Sequence, residues 1–219
     1  WTIMLKAVNL RKKYGQLEIL KGISLEVNTG EIVSITGSSG AGKTTLLQIL
    51  GTLDRPDDGT FTIDGINPFT LSQGELAKFR NRKIGFVFQF HQLLPEFDAI
   101  ENIMIPAMIQ GLSKKDAREK AFTLLEKVGL QDRASHRPNE ISGGEQQRIA
   151  VCRALVNQPN IVFADEPSGN LDTRNANELH DLFFKLRDEL NQTFVIVTHN
   201  QLLAKQADRM LQMQDGLMV

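Results

Sequence analysis

This sequence of 219 residues has little cysteine, little net charge and no long apolar run. The single cysteine, Cys152, excludes an internal disulfide and a cysteine-based metal site, and we expect it to pack as a small apolar side chain. The 25 basic and 26 acidic side chains give a formal net charge of −1, so no overall basic field indicates nucleic acid or anionic lipid. Apolar stretches such as residues 102–109 are too short to span a bilayer. We therefore expect any membrane role to depend on a partner.

The composition that remains is that of a globular chain, with 41% hydrophobic and 23% charged residues. Two continuous apolar runs, 160–166 and 193–199, end in polar residues, which is typical of buried parallel strands with functional groups at their carboxyl ends. Between them lies a helix with one apolar stripe, so the order is strand, helix, strand. We expect one α/β domain spanning residues 4–219, with residues 1–3 lying ahead of the natural start at Met4.

The remaining segments are assigned by pattern. Early segments rich in β-branched residues, and the alternating run 60–65, predict a further sheet. A helix is expected directly after Gly42. A second is expected over 113–128, with a capping box formed by Ser113 and Asp116.

Residues 37–44, GSSGAGKT, match the phosphate-loop pattern G-x-x-x-x-G-K-[ST] between a predicted strand and a predicted helix. In this pattern the glycines let successive N–H groups curve around phosphate. We therefore predict that Lys43 reaches the β- and γ-phosphates and that Thr44 offers its hydroxyl to Mg²⁺. The predicted nucleotide contacts of this loop are Gly37, Ser38, Ser39, Gly40, Ala41, Gly42, Lys43, Thr44 and Thr45.

Two adjacent carboxylates, Asp165 and Glu166, end an apolar strand. Such a pair alone is as often a solvated strand end. Beside a phosphate loop, we predict instead that Asp165 holds Mg²⁺ through water and that Glu166 orients and polarises the attacking water.

Polar residues also follow two other apolar strands. Gln89 comes after IGFVF and His199 after FVIVT. Each is a weak indicator alone, since a lone histidine is more often a structural hydrogen-bonding group. With the phosphate loop, Gln89 is a candidate ligand of Mg²⁺ or water, and His199 a candidate contact of the γ-phosphate. The predicted catalytic residues are then Glu166, His199 and Lys43, and Tyr14, the only tyrosine, is a candidate to stack on adenine.

A second glycine-containing segment precedes a predicted helix at ISGGEQQR, residues 141–148. Flexible backbone that runs into a helix N-terminus suits an anion, because unpaired N–H groups and the positive end of the dipole face outward. The chain therefore contains two candidate phosphate sites.

The order of these features resembles that of an ABC-transporter ATPase, from Met4 to the end of the chain. The features are the phosphate loop 37–44, Gln89, the signature ISGGEQQR, FADE at 163–166, SGNLD at 168–172 and His199. The resemblance implies a P-loop NTPase (RecA-like) fold. Its parallel-sheet core would carry an antiparallel β subdomain and an inserted α-helical subdomain, about 90–157, that includes the signature.

The same resemblance implies ATP and Mg²⁺ as cofactors and a head-to-tail dimer that holds ATP between two copies. In that dimer Ser142, Gly143, Gly144 and Glu145 would contact the nucleotide bound at Lys43 of the partner subunit. Asp172 would lie along the interface. Glu145 departs from the family pattern, since many relatives have Gln there, but an acidic group in a first helical turn is well tolerated by the dipole.

Three segments, 89–103, 136–159 and 164–176, are similar to the lipoprotein-releasing type within this family. That type drives extraction of lipoproteins from the bacterial inner membrane toward the outer membrane. The resemblance implies a peripheral protein on the cytoplasmic face of the inner membrane, bound to a permease.

The segment 90–109 carries six apolar side chains that are candidates for exposure. We expect about half of them to pack within the subdomain instead. The others would form a groove for a cytoplasmic helix of the permease. The six candidates are Leu93, Leu94, Phe97, Ile100, Ile103 and Met104.

Alternatives remain open at this stage. Macrolide-exporter-type and cell-division-type ATPases share the ADEP[ST]GNLD pattern, and the cargo is chosen by the permease. An ABC ATPase acting on nucleic acid usually carries coiled-coil or zinc insertions, and this sequence has neither heptads nor cysteine pairs. A regulatory subunit without turnover is disfavoured because Lys43, Asp165, Glu166 and His199 are all present.

Overall fold

The computed structural model describes residues 2–219, so the expectation for residues 1–3 falls partly on Trp1, outside the described residues. Ile3 already belongs to the first strand. The strands are β1 (Ile3–Tyr14), β2 (Leu17–Asn28), β3 (Ile32–Gly37), β4 (Asp58–Ile63), β5 (Ile84–Phe88), β6 (Ile161–Asp165), β7 (Thr193–Val197), β8 (Arg209–Gln214) and β9 (Leu217–Met218). The α-helices are α1 (Lys43–Leu50), α2 (Gln73–Lys83), α3 (Ala99–Gln110), α4 (Lys114–Lys127), α5 (Gly143–Leu155), α6 (Thr173–Leu190) and α7 (Gln201–Gln206). Short 3₁₀ helices cover Pro68–Thr70, Gln131–Arg133 and Pro138–Glu140.

Two sheets form the framework. The larger has the order β5-β6-β7-β3-β8-β9, in which all neighbours are parallel except the edge pair β8 and β9. The smaller sheet, β2-β1-β4, is antiparallel. The predicted α/β fold, with a parallel core and an antiparallel β part, is confirmed. Because β3, β5, β6 and β7 run parallel, their carboxyl ends meet at one edge, where crevices in open α/β sheets bind ligands.

Three apolar clusters hold these layers together. One lies between the two sheets and includes α1, and a second packs α5 and α6 on the larger sheet. The third is formed by α3, α4 and α5 and is the core of the helical part of the chain.

The third cluster shows which of the six apolar candidates pack within the subdomain, and they are half of the set, as expected. Ile100 and Ile103 are fully buried in it and are not available to a partner, and Met104 is buried there as well. Their spacing puts them on the face of α3 that α4 and α5 cover. Leu94 and Phe97 are exposed as expected, and Leu93 is half-buried against the cluster.

Helix α4 corrects a smaller detail. Ser113 caps it as predicted, accepting a hydrogen bond from the Asp116 N–H at 3.2 Å. The Asp116 carboxylate, however, accepts from the Ser113 hydroxyl instead of the backbone N–H, so the predicted capping box is only half formed.

Candidate functional site

The phosphate loop connects the end of β3 to the start of α1. Gly42, the residue before α1, has φ of +97°, a left-handed conformation that glycine adopts without strain. Lys43 Nζ donates to the carbonyl oxygens of Gly37 and Ser38, both at 2.8 Å, so the side chain folds back over its own loop. Helix α1 has neither a side-chain cap nor an acidic residue in its first turn. Its N–H groups and positive dipole end are therefore free to bind an anion.

A cavity of about 310 Å³ opens at this helix start. Its lining consists of Ile19, Ser39, Gly40, Gly42, Lys43, Thr44, Thr45, Asp165, Glu166 and Val197. The phosphate loop and the two carboxylates meet here because β3, β6 and β7 are adjacent parallel strands. Residues that lie more than 120 positions apart in the sequence thus line one cavity, which unites the predicted lysine, hydroxyl and carboxylates.

Asp165 lies against Thr44. Burial raises the pKa of Asp165, and the charge of Glu166 acts in the same direction, while a hydrogen bond with the Thr44 hydroxyl and the charge of Lys43 oppose both. A hydroxyl beside a carboxylate is a set of hard oxygen donors, which fits Mg²⁺. Among residues 2–219 no three His, Cys, Asp or Glu side chains cluster as a metal site. Few protein ligands are the usual condition of Mg²⁺ in phosphate sites, where the ion keeps several waters.

Glu166 is held firmly in place. Its φ is +45°, a conformation uncommon for a residue with a side chain, and its N–H donates to the Val197 carbonyl at 2.9 Å. Its Oε2 lies 2.7 Å from His199 Nδ1 and accepts the His199 N–H at 3.1 Å. The Nδ1 side of the ring therefore faces Glu166, which leaves Nε2 as the ring nitrogen that can contact another group.

Gln89 and Tyr14 do not line this cavity. The Gln89 side chain instead donates a hydrogen bond to the side chain of Asn170. The Tyr14 hydroxyl donates to Asp54 Oδ2 at 2.6 Å, which raises the pKa of Tyr14. Lys12 Nζ lies 5.2 Å from the centre of the Tyr14 ring, which is half exposed.

The signature segment also lies outside the cavity, at the start of α5. Ser142 and Glu145 form a capping box, in which the Ser142 N–H donates to Glu145 Oε2 at 2.8 Å. Glu145 Oε1 also pairs with Arg133 Nε at 3.0 Å. Partial burial acts the other way, but these hydrogen bonds lower the pKa of Glu145. Gly144 lies so close to α6 that a Cβ atom there would overlap the Asn175 side chain.

Three residues of this region were not singled out from the sequence: Ser168, Asn170 and His180. Ser168 Oγ lies 2.9 Å from His180 Nε2 in a buried contact, and Asn170 contacts Gln89. Asn170 lies within the quoted motif SGNLD, but no local pattern indicates which distant residue it meets.

One apolar surface lies beside α3. A cavity of about 340 Å³ is lined by Phe97, Glu101, Met104, Ile105, Met108, Ile109 and Lys114. Met108 and Ile109 are strongly exposed beside it. No helix within residues 2–219 has the length and apolar character needed to cross a membrane.

Comparison with known proteins gives a consistent result. The family described as "ABC transporter" matches residues 20–169. The "Lipoprotein-releasing system ATP-binding protein LolD" of Bacteroides thetaiotaomicron is 62% identical over 213 residues, covering 97% of this chain and 98% of the relative. The protein of the same name from Porphyromonas gingivalis is 58% identical over 216 residues, covering 99% of both. Among solved structures, the dimeric ATP-binding cassette MJ0796, in a post-hydrolysis state bound to ADP and Pi, is 39% identical with a TM-score of 0.88, covering 98% of this chain and 96% of that one.

Proposed function

This chain belongs to the ABC transporter family, and from that premise we propose that it is the ATP-hydrolysing subunit of a transporter that releases lipoproteins from the bacterial inner membrane. The observation that carries the ATPase part is the single cavity shared by Lys43, Thr44, Asp165 and Glu166. The lipoprotein part is supported by relatives named for lipoprotein release, which match nearly the whole chain at up to 62% identity.

The chain's own residues divide the chemistry between them. Lys43 exchanges the carbonyls of Gly37 and Ser38 for phosphate oxygens, helped by the open start of α1. Glu166, fixed by Val197 and His199, orients a water molecule and accepts its proton. A bound Mg²⁺ would neutralise charge on the phosphates. Thr44 and Asp165, with Gln89, are the residues that would hold it, and Tyr14 would stack on the adenine.

Two copies complete the site. Ser142, Gly143, Gly144 and Glu145 lie outside the cavity of their own chain, at the start of α5, and we assign their contacts to the nucleotide bound by a second copy. The dimeric form of a 39% identical cassette supports this arrangement. Closure of the pair would follow ATP binding, because γ-phosphate contacts from both copies exist only in the closed form.

A membrane permease is the second partner. The cavity beside α3 is mainly apolar, and Met108 and Ile109 extend its exposed surface. An amphipathic helix of the permease fits such a groove, and Glu101 and Lys114 at its rim can pair with polar residues of that helix. Docking there would hold the chain at the cytoplasmic face of the inner membrane.

The variant Glu166→Gln tests the ATPase assignment. An amide keeps the shape of the side chain but cannot accept a proton, so we expect ATP binding within about twofold of the parent and hydrolysis lowered by about 10² to 10⁴. Phosphate release measures the rate, and light scattering with ATP measures the mass, which should double. Hydrolysis at the parental rate would show that Glu166 is not the base.

The same variant tests the transport assignment. In membrane vesicles that contain the permease subunits co-purified with this chain, the parent with ATP should release lipoproteins into solution, and Glu166→Gln should not. Release of another cargo, with lipoproteins retained, would favour one of the macrolide-exporter-type or cell-division-type alternatives.

A further inference from the structure

Gln89 and Asn170 join two loops that the sequence separates by 81 residues. Gln89 follows β5, and Asn170 lies between β6 and α6. Gln89 Nε2 donates to Asn170 Oδ1 at 3.0 Å, and Asn170 Nδ2 makes a longer contact, 3.4 Å, to the Gln89 backbone carbonyl. The side chain of Asn170 therefore spans both the amide and the backbone of Gln89.

This pair determines which way the Gln89 amide points. A backbone carbonyl can only accept, so the Asn170 group beside it must be the NH₂, and the Asn170 oxygen must face Gln89. An oxygen accepts only from a donor, so Gln89 must present its NH₂ to Asn170. The Gln89 oxygen is then the end of the amide that remains for a cation or a water.

The loop that carries Asn170 is itself fixed. Ser168, two residues earlier, makes the buried contact of 2.9 Å with His180 on α6. The Gly169 N–H donates to the Glu166 carbonyl at 2.9 Å, so the turn is closed directly after the carboxylates. A Cβ atom at Gly169 would lie only 2.9 Å from Gln89 Nε2, so the glycine lets the Gln89 amide keep this position without a shift.

We propose that Asn170 is a positioning residue that orients the Gln89 amide so that its oxygen serves the Mg²⁺ of the nucleotide site. This rests on the proposed function. Asn170 thereby couples the loop after β5 to the loop after Glu166, so that the two loops respond together when nucleotide and metal bind.

Two measurements on the purified full chain test this. Hydrogen–deuterium exchange of the nucleotide-free protein reports the loops directly, without metal or turnover. Calorimetric titration of ADP, with and without Mg²⁺, reports how much the metal tightens binding. The variants are Asn170→Ala, Asn170→Asp, Gln89→Ala and Asn170→Ala combined with Gln89→Ala. The control is Asn160→Ala, which removes a side-chain hydrogen bond to Asp64 at the opposite end of β6.

We expect Asn170→Ala to speed exchange in residues 86–94 and 166–172 and to lower the Mg²⁺ enhancement of ADP binding by about fivefold, the effect of one modest hydrogen bond. Affinity for ADP without Mg²⁺ should not change. Asn170→Asp should recover most of the enhancement, because a carboxylate still accepts from Gln89 Nε2. In the Gln89→Ala background, Asn170→Ala should cause no further loss of the Mg²⁺ enhancement.

Other results would overturn the proposal. An Mg²⁺ enhancement that is unchanged in Asn170→Ala, or lowered as much by Asn160→Ala, excludes a positioning role. A double variant whose loss of Mg²⁺ enhancement equals the sum of the losses in Asn170→Ala and Gln89→Ala also excludes it. A parent protein that binds no ADP at all would instead contradict the proposed function, and the exchange measurement would still decide whether Asn170 couples the two loops.

Discussion

The two helix starts expected to bind phosphate, those of α1 and α5, are built differently. Helix α1 follows Gly42, with no side-chain cap and no acidic residue in its first turn. Helix α5 follows Ser142, which forms a capping box with Glu145, and Glu145 also pairs with Arg133. The first helix start is open to an anion, whereas the second is already partly satisfied by its own carboxylate.

Helices elsewhere in the chain show which of the two is unusual. Both α2 and α3 begin with a capping box, formed by Ser72 with Glu75 and by Asp98 with Glu101. The start of α5 is therefore an ordinary stable helix start, and the open start of α1 is the exception. What distinguishes α5 is the pair of glycines, Gly143 and Gly144, in its first turn. The difference agrees with the proposal that α1 binds phosphate in a single chain and that α5 adds its contacts from a second copy.

The largest effect is expected when the two signature glycines are compared. Gly144→Ala places a methyl group against Asn175, which also holds Asp172 through its side chain, so the starts of α5 and α6 must move apart. We expect ATP hydrolysis and ATP-driven pairing to fall by at least about tenfold, and the free energy of unfolding to fall by about 1–3 kcal/mol. ATP affinity of the single chain, measured by calorimetry, should stay unchanged because α1 is untouched.

Gly143→Ala is the matched control for the effect on stability. No atom lies closer than 3.9 Å to a Cβ there, and alanine is the better helix former, so stability should stay equal or rise by about 0.5 kcal/mol. If Gly144→Ala weakened ATP binding to the isolated chain, the two helix starts would not be independent.

A smaller effect is expected from Glu145→Gln. The amide oxygen still accepts from the Ser142 N–H, but the charge beside the dipole and the ion pair with Arg133 are lost, for about 1 kcal/mol of stability at neutral pH. Removal of a negative charge beside the proposed γ-phosphate contact should also tighten ATP-driven pairing several-fold. Light scattering of each variant in the Glu166→Gln background measures the pairing.

The pH dependence of Glu145→Gln has a definite sign. The pKa of Glu145 is lowered in the folded chain from its usual 4.5, so its contribution is present above about pH 4.5 and is lost as the pH falls through the lower folded value. The stability difference between parent and variant should therefore shrink in acid. Glu75→Gln alters the same kind of box in α2, far from the signature, and should leave pairing unchanged; equal effects on pairing would contradict the role of local charge.

Much of the fold and of the site was predictable because the signals are local. The run IVFADE defines a buried strand and puts Asp165 and Glu166 at its end, and the pattern at 37–44 defines a strand, loop and helix. Parallel strands then bring these ends together. Patterns along the chain are enough wherever one segment determines the geometry.

Contacts between distant segments were not predictable in this way. Nothing near Asn170 indicates Gln89, and nothing near Ser168 indicates His180, because these pairs depend on how β5, β6 and α6 pack. Apolar periodicity likewise could not show that α4 and α5 cover Ile103, since it gives a face and not the neighbour of that face.

The smallest effect concerns His180, which contacts Ser168 in the segment between β6 and α6. Burial lowers the pKa of His180, while Asp181 acts weakly in the other direction. The folded state therefore favours the neutral ring, and this contribution to stability is lost as the pH falls from about 6.5 through the folded pKa. His180→Phe should be less stable than the parent by about 1 kcal/mol at pH 7.5, since Ser168 loses its partner.

Between pH 7 and 5 the stability difference between the parent and His180→Phe should narrow or change sign. Phenylalanine does not titrate, whereas the parent must charge a buried ring. Urea unfolding at several pH values measures both chains. Ser168→Ala separates the two causes, since it removes the hydrogen bond but keeps the buried imidazole, so it should remain as pH-sensitive as the parent. If His180→Phe kept the full pH dependence of the parent, that dependence would belong to another group. Burial also lowers the pKa of His91, so His91→Phe would be the next variant to measure.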